Sequence, residues 1–269
     1  MKLLHGGELA EYIKERQARQ VRALRQASHV FPKLVIIKST TASPVVDTYI
    51  RMKQRYSQDI LIDTQVETLS EADMPTAIQK LNDDLSVHGI IVQLPLGDTS
   101  QTDAIVKTIA PGKDIDGLGP QAEYDSATAT AINWLLAGYN IELKGKAIAI
   151  VGNGRLVGAP LAKLWQASGL AVTVLDESSA DIAEIVKKSD IIVSATGVPR
   201  LISASMVGPG AVIVDAGTTS ENGVIVGDVD PAVRLRDDIT ITPEKGGVGP
   251  LTITALFDNV IRSAQKTTQ

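Results

Sequence analysis

Residues 146–160 read KAIAIVGNGRLVGAP: an apolar run ends at Val151, glycines follow at 152, 154 and 158, and a second apolar run begins. A buried strand that breaks at once into glycines and then into a helix is the βα turn of a parallel α/β sheet. Glycine allows the tight bend and lets backbone approach a ligand, and the amino terminus of the helix attracts a pyrophosphate. The spacing is GxGxxxG, one residue longer than the usual dinucleotide fingerprint, and strand-to-helix glycines also serve purely structural ends. The next apolar run, AVTVL at 171–175, delivers Asp176 where a carboxylate is expected to meet the ribose 2′-hydroxyl of NAD and to repel the 2′-phosphate of NADP. The competing reading is that Asp176 or Glu177 caps the following helix.

Composition agrees with this architecture. Aromatic residues make up only 3% of a chain that is 44% hydrophobic, so its cores are built from Val, Ile, Leu and Ala, and the β-branched members favour buried parallel strands. A length of 269 residues suits two such cores. The net charge of −5 offers no cationic field for nucleic acid. There is no cysteine, and His5, His29 and His88 are too dispersed to form a ligand cluster, so no metal site is expected. The amino-terminal stretch MKLLHGGELAEYIKERQ has no long apolar core, which predicts neither a signal peptide nor a membrane span and makes a cytoplasmic enzyme the default.

Two α/β series follow from the patterning. The first has an amphipathic helix over about 8–27, a strand at 34–38, a helix from Pro44 to about Tyr56, a strand at 59–66, a helix at 70–85 and a strand at 88–94. The second begins at 146, with helices at 157–168 and 179–188 and strands at 171–175, 190–195, 211–216 and 239–242. Residues 117–145 hold a loop and a connecting helix. In the tail, Leu251, Ala255, Leu256, Asn259 and Val260 recur at helical spacing, which predicts a helix that packs back on the first domain. The predicted division is therefore 1–118, completed by 251–269, and 119–250.

Small residues follow two more strands, as Ala195, Thr196 and Gly197 in SATGVP and as Thr218 in DAGTT, where backbone must lie close to a ligand. In the first series Tyr49 and Lys53 stand at i and i+4, so a ring and an amine share one helix face. Gln93, followed by Leu94 and Pro95, ends an apolar strand at the carboxyl edge where substrate sites collect. PGKDIDGLGP at 111–120 carries two carboxylates among glycines, either an ordinary turn or a binder of a polar heterocycle.

Taken together, these segments resemble the bifunctional methylenetetrahydrofolate dehydrogenase/cyclohydrolase family. The resemblance runs in order through YIRMK, GIIVQLPL at 89–96, KDIDG at 113–117, GNGRLVGAP at 152–160, DAG at 215–217, GDV at 227–229 and GGVGPLT at 246–252. It implies an α/β folate domain and a Rossmann-type nicotinamide domain facing a cleft, usually in a homodimer. It also implies oxidation of 5,10-methylenetetrahydrofolate by NAD(P)⁺ and hydrolysis of the methenyl product to 10-formyltetrahydrofolate.

Carried onto matching positions, Lys53 is the catalytic amine with Gln93 as its hydrogen-bond partner, Tyr49 lies against the folate rings, and Asp116 binds the pterin. Gly247, Gly249 and Pro250 supply close contacts with Leu94 and Pro95 at the folate site. Gly152, Asn153, Gly154, Arg155, Leu156 and Val157 hold the cofactor. The family commonly has an arginine or small residue and then serine where this chain has Asn153 and Gly154, and a basic or hydroxyl pair where it has Asp176 and Glu177. Both departures favour NAD over NADP. Others fall at SATATA (126–131), at PEK (243–245) and at Val46, where the family has serine. Two alternatives remain: a two-domain dehydrogenase of another small substrate, and a non-catalytic folate- or nucleotide-binding homologue.

Overall fold

The computed structural model describes residues 1–221 and 224–268. In chain order its first elements are β1 (Lys2–Leu3), α1 (Gly6–Ala27), β2 (Lys33–Ser39), α2 (Pro44–Asp59), β3 (Asp63–Leu69), α3 (Met74–Asp83), β4 (Gly89–Val92), α4 (Thr102–Val106) and α5 (Ala127–Gly138). Then come β5 (Ile148–Val151), α6 (Gly158–Ala167), β6 (Val172–Leu175), α7 (Ile182–Lys187), β7 (Ile191–Ser194), β8 (Val212–Asp215), β9 (Thr219–Glu221), β10 (Val224–Val226), β11 (Thr240–Ile241) and α8 (Val248–Lys266).

The described chain divides into two compact units, Met1–Ala10 with Thr128–Thr252 and Glu11–Ala127 with Ile253–Gln269. The first holds a six-stranded parallel sheet in the order β1-β11-β8-β7-β5-β6. Every residue of β5 and β7 is buried, as expected for central parallel strands with both faces covered. Their core joins Val151, Leu175, Val186, Ile192, Ile213 and Ile241. Register sets the functional edge: Val151 pairs with Leu175 and with Ser194, and Ser194 with Asp215, so the turns after β5, β6, β7 and β8 leave the sheet level with one another.

The second unit holds a three-stranded parallel sheet ordered β3-β2-β4, with Val35, Ile37, Ile90 and Val92 in its core beside Met74 and Ile78 of α3. Carboxyl-terminal residues from Ile253 onward belong to this unit.

Three readings of the pattern differ from the structure. The apolar run at 60–62 is not the start of a strand: α2 continues to Asp59, and Ile60 and Ile62 are buried on either side of Leu61, whose φ is 63°. The strand begins at Asp63 and, as a polar edge strand, alternates only weakly between exposed and half-buried positions. The first ten residues join the second α/β series instead of the first, because Lys2 and Leu3 pair with Thr240 and Ile241 and extend the six-stranded sheet. An antiparallel ribbon, β9 with β10, lies in a stretch with no strand expected.

Candidate active site

In the three-stranded unit, α2 begins at Pro44, which suits a first helical turn, and Ile50 and Ser57 are buried on its inner face. Tyr49 and Lys53 follow one another on this helix, both half-buried. Val46, one turn earlier, is only 1% exposed and packs in the core, so it offers a ligand no polar atom.

The Lys53 ammonium donates to Gln93 Oε1 at 2.7 Å. Gln93 is buried just past β4, its backbone N–H bound to Ile37 O at 2.8 Å and its own amide donating to Leu94 O at 3.0 Å. The glutamine is therefore fixed at both ends and presents its carbonyl to the lysine. Leu94 is half-buried and Pro95 exposed beside it. Burial pulls the Lys53 amine below the ordinary lysine pKa, while the charge of Asp116 works upward against that shift. Asp116 is pushed up by burial and held down by Lys53. Amine and carboxylate are thus electrostatically coupled across about sixty residues of chain.

The two carboxylates of KDIDG have separate jobs. Asp114 is 2% exposed and is consumed by its own turn, accepting from Gly117 N at 3.1 Å and Gly119 N at 2.6 Å. A side chain on Gly117, at φ +71°, would meet the backbone of Asp125 and Ser126 at 2.7 Å. The turn is thereby closed, and Asp116 is the carboxylate left to interact with Lys53. This loop is tied to β4 by Ile90 N donating to Lys113 O at 2.8 Å. It is tied to the last helix by Asn259 Nδ2, which donates to Ile115 O at 2.9 Å and Asp125 O at 3.3 Å. In the sequence Asn259 is one member of a helical stripe, and a polar residue at a core position of that stripe is the signal of a specific partner.

In the six-stranded unit the glycine turn behaves as its chemistry requires. Gly152 has φ +104°, and a side chain there would strike Ala195 O at 2.5 Å; one on Gly158 would lie 1.8 Å from Gly152 O. Nothing lies within 4 Å of a Cβ built on Gly154. Two glycines therefore close the turn and the third keeps its face open, which fits a pyrophosphate brought against backbone at the start of α6. Asn153, Gly154, Arg155 and Leu156 are exposed and Val157 half-buried along this turn.

Asp176 follows β6 half-buried, its Oδ1 accepting from Ser178 N at 3.0 Å, Ser178 Oγ at 2.6 Å and Ser179 Oγ at 3.2 Å. These bonds hold its pKa below the usual carboxylate value, so it is ionised at neutral pH. Helix α7 starts at Ile182 behind Asp181, so Asp176 closes a local turn and does not cap that helix. Ala195, Thr196 and Gly197 are half-buried after β7, and Thr218 is exposed after β8. Gly247, Gly249 and Pro250 lie at the start of α8 and belong to this unit, not to the one that carries Lys53. Gly247 is buried, with Thr242 Cβ 3.0 Å from where its own Cβ would be; the position at Gly249 is open. Among the described residues no helix is long and apolar enough to cross a membrane.

Comparison with known proteins gives two family matches. Residues 4–116 match the tetrahydrofolate dehydrogenase/cyclohydrolase catalytic domain, and residues 126–268 match the NAD(P)-binding domain of the same enzymes. The bifunctional protein FolD of Francisella tularensis subsp. holarctica is 36% identical over 99% of both chains. Among solved structures, the bifunctional FolD dehydrogenase/cyclohydrolase of Campylobacter jejuni superposes with a TM-score of 0.93 at 33% identity, covering 99% of both chains. The Trypanosoma brucei dehydrogenase-cyclohydrolase, solved with NADP and an inhibitor, has a TM-score of 0.92 at 29% identity and covers 99% of this chain and 98% of its own.

Proposed function

The chain belongs to the tetrahydrofolate dehydrogenase/cyclohydrolase family, and from that premise we propose that Lys53, Gln93, Asp116 and Tyr49 form its folate-processing centre and that NAD is its preferred oxidant. The protein is a bifunctional methylenetetrahydrofolate dehydrogenase and methenyltetrahydrofolate cyclohydrolase with an NAD(P)-binding domain. A nicotinamide dinucleotide held at the glycine turn of residues 152–157 would supply the two-electron oxidant that takes a hydride from 5,10-methylenetetrahydrofolate and leaves the methenyl cation.

The observation that carries the assignment of residues is the 2.7 Å bond from the Lys53 amine to a glutamine that is itself pinned at both ends. Burial lowers the Lys53 pKa and so enlarges the neutral fraction that can act as a base. Lys53 takes a proton from water as the water oxygen bonds to the methenyl carbon. The bond from that carbon to N5 then breaks as N5 is protonated, giving 10-formyltetrahydrofolate and releasing one proton overall. Gln93 aims the amine, Asp116 accepts from the donor edge of the pterin, and Tyr49 covers the ring system. Leu94 and Pro95, next to Gln93 in the chain, contribute further folate contacts.

The preference for NAD rests on Asp176, whose second carboxylate oxygen has no protein partner among the described residues and suits a ribose hydroxyl. The cofactor contacts are completed by the 152–157 turn and by Ala195, Thr196, Gly197 and Thr218. The family resemblance also supports a homodimer, which sedimentation equilibrium tests.

The deciding experiment follows reduced nicotinamide and methenyl absorbance together, with 5,10-methylenetetrahydrofolate and either nucleotide. NAD⁺ should give the higher kcat/KM, and Asp176→Ser should cut that advantage by about tenfold, the size of one charge-assisted hydrogen bond. A ratio that Asp176→Ser leaves unchanged removes Asp176 from nucleotide selection.

A further inference from the structure

We propose that Asp228 is a positioning residue for the nicotinamide half of the dinucleotide site, acting through the turn that follows β7. The inference rests on the functional reading above. In the sheet, β6 with its Asp176 lies on one side of β5, and β7 and β8 lie on the other. A dinucleotide with its adenosine ribose at Asp176 and its pyrophosphate on the turn after β5 extends its nicotinamide over the turns after β7 and β8.

Asp228 lies beneath both of those turns. It is 1% exposed, and its Oδ2 accepts from Ser194 Oγ at 2.7 Å, Thr196 N at 2.7 Å and Thr196 Oγ1 at 2.9 Å. Thr196 Oγ1 in turn accepts from Val198 N at 3.0 Å, so the bonds to one carboxylate oxygen set the path of the chain from Ser194 to Val198. On the other side, a Cβ on Gly217 would lie 1.9 Å from Asp228 Oδ1. Only glycine lets the turn after β8 rest on this carboxylate.

The neighbouring Asp215 makes the contrast. It is paired with Arg234 at 2.7 Å and also accepts the backbone N–H groups of Asp228 and Val229 at 3.0 and 3.2 Å. Asp215 is a neutralised scaffold that holds the Asp228 backbone in place. Asp228 itself has no ion-pair partner among the described residues, and its Oδ1 is buried without any hydrogen-bond partner. A buried, uncompensated carboxylate is a poor way to stabilise a fold. Three donors converging from the end of β7 and the turn after it instead fit the holding of that turn's backbone in a single conformation against a ligand.

Two variants of the full chain test this. Asp228→Asn keeps the volume and an oxygen for the three donors but removes the negative charge that strengthens those bonds, and Ser194→Ala deletes one donor while leaving Asp228 intact. For each, both half-reactions are followed and NAD⁺ and NADP⁺ are titrated calorimetrically. Asp228→Asn should raise the KM and Kd of the preferred nucleotide about tenfold and Ser194→Ala about threefold, as expected for hydrogen bonds to a charged group. Hydrolysis of methenyltetrahydrofolate supplied directly, which consumes no nucleotide, should stay within about twofold. Unchanged nucleotide constants in both variants, or an equal fall in both activities, would overturn the proposal. If Asp228→Asn does not fold, Ser194→Ala decides. If the wild-type protein binds nucleotide without oxidising the folate, the functional reading fails, while the titrations still judge Asp228.

Discussion

At the turn after β5 the protein offers backbone to a ligand, whereas around Lys53 it offers side chains. The first surface depends on absent atoms: Gly152 and Gly158 leave no room for a Cβ, and Gly154 leaves its face clear. The second depends on groups brought together from far apart, with Lys53 on α2, Gln93 after β4, Asp116 in a loop and Asn259 reaching that loop from α8. A backbone site is closed within one stretch of about fifteen residues and tolerates drift in exposed neighbours such as Asn153 and Arg155. A side-chain site fails when any distant partner is lost, because the remaining group is left buried without its counterpart.

That difference can be broken most severely at Lys53. Lys53→Gln should lower the rate of methenyl hydrolysis by about 10²–10⁴-fold, the usual range for a lost general base, with near-native stability. Stopped-flow absorbance reads the rate, and a folded variant that hydrolyses at the wild-type rate would remove the amine from the mechanism.

The glycine turn should fail in a different currency. Gly158→Ala places a methyl group 1.8 Å from Gly152 O, so the backbone must move, and a stability loss of about 2–4 kcal/mol should appear in urea denaturation together with loss of nucleotide binding. Gly154→Ala meets nothing within 4 Å and should keep its stability within about 0.5 kcal/mol while raising nucleotide KM. A folded Gly154→Ala with unchanged nucleotide KM would show that the open face at Gly154 has no ligand-related role.

The same contrast explains what could be read in the sequence. The glycine turn, the parallel strands that frame it and Asp176 are local patterns, and residue spacing alone carries them. Lys53 and Tyr49 show in the sequence only as an amine and a ring on one helix face, and the resemblance singles them out, because the bond to Gln93 spans forty residues. The choice between Asp114 and Asp116 was invisible in composition. It is made by two backbone N–H groups that only the folded turn aims at Asp114. Edge strands were the weakest signal: β3 is polar, β1 is two residues long, and the apolar residues before β3 belong to a buried turn. Asp228 fell within a quoted motif, but its role depends on Ser194 and Thr196, more than thirty residues away.

A finer test of the side-chain site uses pH. Burial lowers the Lys53 pKa and the Asp116 charge raises it back. Asp116→Asn removes the upward influence and leaves burial unopposed, so the amine becomes neutral at a lower pH than in the wild type. If neutral Lys53 is the base, the acidic limb of the hydrolysis profile must move to lower pH, even though KM for folate rises through the lost pterin contact. Stability should follow with a definite sign. A lysine whose folded pKa lies below its unfolded value binds fewer protons when folded, so stability rises with pH between those two values. Asp116→Asn extends that window downward. A limb that stays in place would separate Asp116 from the amine, and one that disappears would identify the carboxylate, not the lysine, as the group being titrated.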